Sequence, residues 1–287
     1  MKIAIISGKG GTGKSTITSA LTAIAQDVIA VDCDVDAANL YLIFHPTEET
    51  TIPFSTSSHA VVNAEDCIGC STCSDACHFG AIECIDGLAV VDERACEGCQ
   101  LCTRICPTQA IHMEASKDSY IYIGNFRYGK MVRARLTPGE ENSGMLVTQL
   151  RKKAEETAKE KGDSLLLLDG PPGIGCPVIA SITGVDKVVV VCEPSLSGIA
   201  DMKRACQLAS SQEIPIYLII NKCDLDQENS DSVRAWAAEK QYPVIAMLPF
   251  ESDMVAAQMQ AKTIMEYAPQ SICSNELRKA FKQLTLS

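Results

Sequence analysis

Apolar residues in this chain gather in short unbroken runs separated by longer amphipathic stretches. Residues 2–7, 28–33, 165–168, 187–192, 216–220 and 243–247 are apolar and mostly β-prone, the pattern of strands covered on both faces of a parallel sheet. Residues 14–25 and 145–161 carry a helical period instead, the second with charged exposed positions. Alternation of strand and helix predicts an α/β fold, doubly wound around a mostly parallel sheet. Residues 120–123 and 131–136 predict a strand pair around a glycine-containing turn, whereas 46–60, polar with two prolines, is expected to be a linker.

Between the second and third apolar runs the pattern breaks, and a repeat replaces it. Shifted by 29 residues, Cys67, Cys70, Cys73, Cys77, Ala81 and Ile82 fall on Cys96, Cys99, Cys102, Cys106, Ala110 and Ile111. The expected organisation is therefore an α/β domain in two parts, 1–58 and 116–287, interrupted by a small α+β domain at 59–115.

Charge follows the same division. The chain of 287 residues carries a formal net charge of −11, and nine carboxylates against two arginines between Glu65 and Glu114 supply −7 of it. Such a balance argues against nucleic acid or an anionic membrane as the main partner, since both would repel it. Fifteen cysteines would suggest disulfides in an exported protein. The N-terminal apolar run is too short for a signal peptide and leads directly into a glycine-rich loop, so a reducing cytoplasm and metal ligation are expected instead.

That loop, Gly8-Lys9-Gly10-Gly11-Thr12-Gly13-Lys14-Ser15, follows a strand and opens a helix, as the phosphate-binding G-x-x-x-x-G-K-[ST] pattern requires. Its backbone N–H groups, with Thr16 in the first helical turn, can cradle phosphates; Lys14 reaches the β/γ oxygens and Ser15 ligates Mg²⁺. Lys9 makes the loop resemble the deviant Walker A form of the MinD, ParA and Mrp family, which includes the nitrogenase iron protein. The resemblance implies ATP hydrolysis and an ATP-dependent dimer, homomeric or formed with a paralogue, in which Lys9 reaches the partner's nucleotide.

It also implies roles for residues in three further segments. In Val31-Asp32-Cys33-Asp34-Val35-Asp36, similar to switch I, Asp34 orients the attacking water and Asp32 lies near the metal's outer sphere, while Asp36 is expected to cap the next helix. In Leu168-Asp169-Gly170-Pro171-Pro172-Gly173, similar to a Walker B strand joined to switch II, Asp169 holds Mg²⁺ through water and Gly173 offers its N–H to the γ-phosphate. Asn221 and Pro249 resemble the residues that flank adenine. The segment 138–144 belongs to the same likeness.

The cysteine runs, C-x2-C-x2-C-x3-C twice, resemble those of ferredoxins with two 4Fe–4S clusters. By that likeness Cys67, Cys70, Cys73 and Cys106 hold one cluster, and Cys96, Cys99, Cys102 and Cys77 the other. Zinc also takes C-x2-C pairs, but structural zinc rarely needs four cysteines in each of two near-identical runs. His78 stands where the pattern usually has proline, which would make the two clusters inequivalent. Cys84 and Cys176 are expected to be packed thiols.

Three functions are compatible with these features. The first is an ATP-gated electron-transfer protein serving a redox client. The second is a carrier or maturation factor for metal cofactors, weakened because Cys206, Cys223 and Cys273 form no C-x-x-C pair. The third is a MinD-like spatial organiser, for which Leu277, Phe281 and Leu284 with Lys279 and Lys282 would form a membrane-binding helix face; a last core helix is the expected alternative.

Overall fold

The computed structural model describes residues 1–55, 58–115, 119–135, 143–162 and 164–286. The chain begins β1 (Lys2–Ser7), α1 (Lys14–Ala25), β2 (Val28–Asp32), α2 (Leu40–Phe44), β3 (Thr47–Phe54). Then come β4 (Ser58–Val62), α3 (Thr72–Ala76), β5 (Ile82–Ile85), β6 (Leu88–Val91), α4 (Leu101–Ile105) and β7 (Ile111–Ala115). The remainder is β8 (Ser119–Phe126), β9 (Gly129–Arg135), α5 (Ser143–Glu160), β10 (Leu166–Pro172), α6 (Cys176–Ile182), β11 (Lys187–Cys192), α7 (Leu196–Ser210), β12 (Ile216–Asn221), α8 (Gln227–Glu239), β13 (Val244–Leu248), α9 (Ser252–Met259), α10 (Ile264–Tyr267) and α11 (Ile272–Leu286).

Nine strands form one sheet in the order β13-β12-β11-β1-β10-β2-β9-β8-β3, and the six neighbouring pairs from β13 to β9 are parallel. Side chains alternate across it. Ile3 and Ile5 point into a core shared with Ile17 and Leu21 of α1 and Leu277 and Leu284 of α11. Ile6 points the other way, beside Gly170 and Ser181 of α6. Helices cover both faces, so the strands are continuously apolar rather than alternating.

The stretch expected to be a linker is instead β3 and the start of β4, a correction with a plain cause. β3 is the last strand of the sheet and most of its side chains are exposed, so its Thr and Glu residues fit an edge while lacking an apolar signal. Arg133 of β9 explains how so polar a strand is held. Its guanidinium makes a bidentate pair with Glu49 of β3 at 2.8 and 2.7 Å and lies 4.1 Å from the ring centre of Tyr122 on β8.

Met1–Ile52, Ile121–Leu136 and Glu141–Ser287 form one compact unit, and Pro53–Tyr120 make up most of a second. In the second, β4 pairs antiparallel with β7 and β5 with β6. The sequence repeat is a repeat of conformation as well. Gly69 and Gly98 have φ of 64° and 65°, Ser71 and Gln100 precede α3 and α4 at 63° and 61°, and Gly80 and Gln109 close each run at 61° and 55°. The core of this unit is small: Ala60, Cys73, Ile82, Ala89, Cys102 and Ile111, with Cys67, Cys77, Cys96 and Cys106 packed against it. None of the fifteen cysteines forms a disulfide. Segment 138–142 of the family likeness lies outside the described residues.

Candidate nucleotide and cluster sites

The first site lies at the carboxyl ends of β1, β10 and β2, where open parallel sheets take ligands. Parallel register sets Asp169 of β10 directly beside Asp32 of β2, both fully buried. Lys14, the first residue of α1, reaches a carboxylate on β10 and one just past β2: its Nζ is 2.9 Å from Asp169 Oδ1 and 4.0 Å from Asp34 Oδ2. Ser15 donates to Asp169 Oδ2 at 2.6 Å, and Thr18, one turn on, donates to Asp169 Oδ1 at 2.8 Å. Thr18 is a positioning residue that the motif does not reveal; only its helical spacing from Lys14 hints at it.

Charges here balance unevenly. Burial disfavours the Lys14 ammonium, yet Asp169 and then Asp34 and Asp32 outweigh that and raise its pKa. Burial, then Asp169, pushes Asp32 up to about 7. Burial also raises Asp34, against the pull of Lys14. Asp32 Oδ2 accepts the N–H groups of Asn39 and Leu40 at 3.1 Å each, whereas Asp36 is exposed. Asp32, not Asp36, thus caps α2: a side chain seven residues upstream can swing across the helix start, and local N-cap spacing does not report it.

The loop fits a phosphate-bound metal nucleotide. Side chains added at Gly10 and Gly11 would meet nothing within 4 Å, so the loop borders open space. Gly13 has φ of 88°, and a Cβ there would lie 2.3 Å from Asn221 Nδ2. α1 begins with no side-chain cap, leaving its first N–H groups for an anion. Among the described residues the buried Thr12 Oγ1 and Asp32 Oδ1 have no hydrogen-bond partner. Gly8 is tight against the backbone of Asp201, and Thr16 accepts the Gln258 amide.

Three expected contacts are otherwise engaged. Gly173 N–H donates to Ser7 O at 2.9 Å, so it is not presented to a phosphate in this conformation. Asn221 Nδ2 donates to Thr12 O at 2.8 Å and braces the loop. Lys9 Nζ lies 2.6 Å from Glu193 Oε1, within its own chain. Pro249 follows β13, its carbonyl accepting from the Cys273 thiol. Cys176 is exposed in the first turn of α6 rather than packed.

The second site is in the cysteine-bearing unit. Cys106 lies close enough to Cys70 and Cys73 for its charge to act on both, while Cys96 and Cys99 act on Cys102. A small cavity is lined by Cys77 together with Cys96, Cys99, Cys102 and Cys73. The fourth cysteine of each run therefore faces the other run. Thr72 Oγ1 donates to Cys70 at 3.4 Å, and the N–H groups of Ala60 and Ala110 donate to Cys96 and Cys106 at 3.4 and 3.3 Å. Cys84, partly buried, donates to Gly69 O. No three His, Cys, Asp or Glu side chains among the described residues close on a single metal ion. The four thiolates of a cubane each bind a different iron and stand wider apart than the ligands of one ion.

The sheet order, the loop at the start of α1 and the buried carboxylates at the ends of β2 and β10 define a P-loop nucleotide-binding domain of the α/β class. The chain belongs to the CobQ/CobB/MinD/ParA nucleotide binding domain family, whose model matches residues 3–264. It is 32% identical over 291 residues to the uncharacterized protein MJ0578 of Methanocaldococcus jannaschii, covering 99% of this chain and 96% of that one. MJ0579 of the same organism is 24% identical over 234 residues, 77% of this chain and 80% of that. Among solved structures, the septum site-determining protein MinD of Pyrococcus horikoshii OT3, complexed with Mg-ADP, superposes with a TM-score of 0.59 at 18% identity, covering 99% of this chain and 96% of that one. MinD in the Aquifex aeolicus MinC:MinD complex gives 0.57 at 17%, covering 100% and 96%. These likenesses establish the fold. Among the described residues no helix is long and apolar enough to cross a membrane.

Proposed function

We propose that this protein hydrolyses ATP with Mg²⁺ and carries two 4Fe–4S clusters, coupling a nucleotide-dependent dimer switch to electron transfer toward a redox client. The observation that carries the proposal is the crossed arrangement of cysteines, with Cys106 within electrostatic reach of Cys70 and Cys73, and Cys77 on a cavity lined by Cys96, Cys99 and Cys102 as well as Cys73. A second support is the small core, since so few buried apolar side chains leave a unit of this size short of stability without a metal or cross-link. When bound, the clusters would supply one-electron storage.

The chain's own groups divide the hydrolytic work. Lys14 neutralises phosphate charge, Ser15 and Asp169 hold the Mg²⁺ with Asp32 behind them, and Asp34 orients water. Lys14 now lies against the carboxylates, so phosphate arrival would draw it outward and leave Asp169 for the metal. Gly173 would have to leave Ser7 O to reach a γ-phosphate, which links switch II to the third phosphate. The test is anaerobic redox-poised EPR of the iron-loaded protein with no nucleotide, ADP or a non-hydrolysable ATP analogue. A nucleotide-dependent change in spectrum or potential is expected; identical spectra and potentials would refute gating.

The MinD folds favour a second reading, a spatial organiser that binds membranes. Against it, Leu277 and Leu284 are fully buried and Phe281 packs on the same core, so the apolar face of α11 is already used. Co-sedimentation with anionic liposomes in the presence of ATP separates the readings: retention in the supernatant is expected.

A further inference from the structure

Among the described residues the Lys9 ammonium makes three polar contacts, all within its own chain. Its Nζ lies 2.6 Å from Glu193 Oε1, 3.0 Å from Ser195 Oγ and 3.3 Å from Ser197 Oγ. An ammonium has three N–H donors, so none is left over for a phosphate on another protomer. Glu193, the residue after β11, is shared: its Oε2 lies 3.1 Å from Lys222 Nζ, which also donates to Gly11 O of the phosphate loop at 3.2 Å. Both carboxylate oxygens are thus engaged, and the group is tied to the loop whether or not Lys9 stays.

We propose that Glu193 is a latch that holds Lys9 on its own protomer until a second copy of the nucleotide-bound chain docks. This rests on the reading of Lys9 as a residue that acts across the dimer. Two features make a latch workable. Lys222 remains on Glu193 after Lys9 departs, so release leaves no partly buried carboxylate without a cation. The Lys9 and Glu193 side chains are 27% and 19% exposed, so the pair is weak enough to exchange. Leu196, the first residue of α7, is 79% exposed between the two serines that hold Lys9. Glu193 is a positioning residue: it touches no substrate and acts through Lys9.

The experiment follows ATP hydrolysis against protein concentration for the full iron-loaded chain. For the wild type, specific activity should rise with concentration, and Lys9→Ala should abolish that rise. Glu193→Gln should lower the half-maximal protein concentration by up to about fivefold, the range expected of a partly exposed ion pair. Glu193→Asp, which keeps the charge, should restore wild-type behaviour. Ser197→Ala should shift the curve the same way by less, and serves if Glu193→Gln does not fold. An unchanged curve for both Glu193→Gln and Ser197→Ala overturns the latch while leaving Lys9 in trans. A fall in maximal rate for Glu193→Gln at an unchanged half-maximal concentration also overturns it, making Glu193 an aid to Lys9 instead. If wild-type activity is independent of concentration and Lys9→Ala matches it, the trans reading fails and the latch with it.

Discussion

Asp32 and Asp169 stand side by side on neighbouring parallel strands, both fully buried, with Lys14 as the one cation among the described residues that contacts Asp169 directly. Burial and the Asp169 charge hold the Asp32 proton to about pH 7, against 3.8 in an unfolded chain. The folded state therefore binds a proton that the unfolded state has released. That contribution is fully present below about pH 4 and is lost as pH rises to about 7. Without nucleotide, the wild type should lose stability across this window relative to Asp32→Asn. Urea midpoints of the two proteins at pH 5, 6, 7 and 8 check it, and parallel curves would refute the assignment.

Lys14→Ala removes the cation between these carboxylates. Breaking a buried pair by deleting one member costs about 3–5 kcal/mol, because the remaining charges stay unpaired. Nucleotide binding should vanish, measured by fluorescent-nucleotide titration, while iron content stays at the wild-type value. Loss of iron as well would mean that the two units do not fold separately.

Asp34→Ala should bind ATP with affinity near the wild type and turn it over at least about a hundredfold more slowly, the lower end of the range for a lost general base. Its carboxylate is partly exposed beside buried Lys14, so removal opens no core cavity. Binding and single-turnover measurements separate the two effects.

Much of this is legible in the sequence. Unbroken runs such as 187–192 became central strands because covering a sheet on both faces demands apolar side chains at every position, and that demand is written in composition. β3 was not readable, since an edge strand is stabilised by pairs such as Arg133 with Glu49, whose partners lie 84 residues apart. The phosphate loop and the cysteine runs are local in sequence and therefore visible. Thr18 is marked only by its helical spacing from Lys14, while Glu193 and Lys222 join the site through the sheet order, and no local pattern marks them. Gly173 and Lys9 were legible as residues but not as states: each is bonded within its own chain here, to Ser7 O and Glu193.

Leu277→Ala should destabilise the protein by about 2–5 kcal/mol, the cost of emptying a buried leucine site. Leu277 is fully buried in the core shared by α1 and α11. Chemical denaturation reads the loss, and liposome binding should be negligible before and after the change. A stable variant with reduced membrane binding would instead make α11 an anchoring helix.

The cysteine assignment predicts which substitutions resemble one another. If ligands followed the order of the chain, Cys70→Ser and Cys77→Ser would damage the same cluster, and Cys99→Ser and Cys106→Ser the other. Cys106 lies within electrostatic reach of Cys70 and Cys73, and one cavity is lined by Cys77, Cys96, Cys99 and Cys102 together with Cys73. Cys106→Ser should therefore give the same residual EPR signal as Cys70→Ser, and Cys77→Ser the same as Cys99→Ser, each with about half the iron of the wild type. The two residual signals should differ because Cys77 is followed by His78 and Cys106 by Pro107. Pairing by chain order would defeat the crossed assignment, and unchanged iron in all four variants would remove the clusters from the proposal altogether.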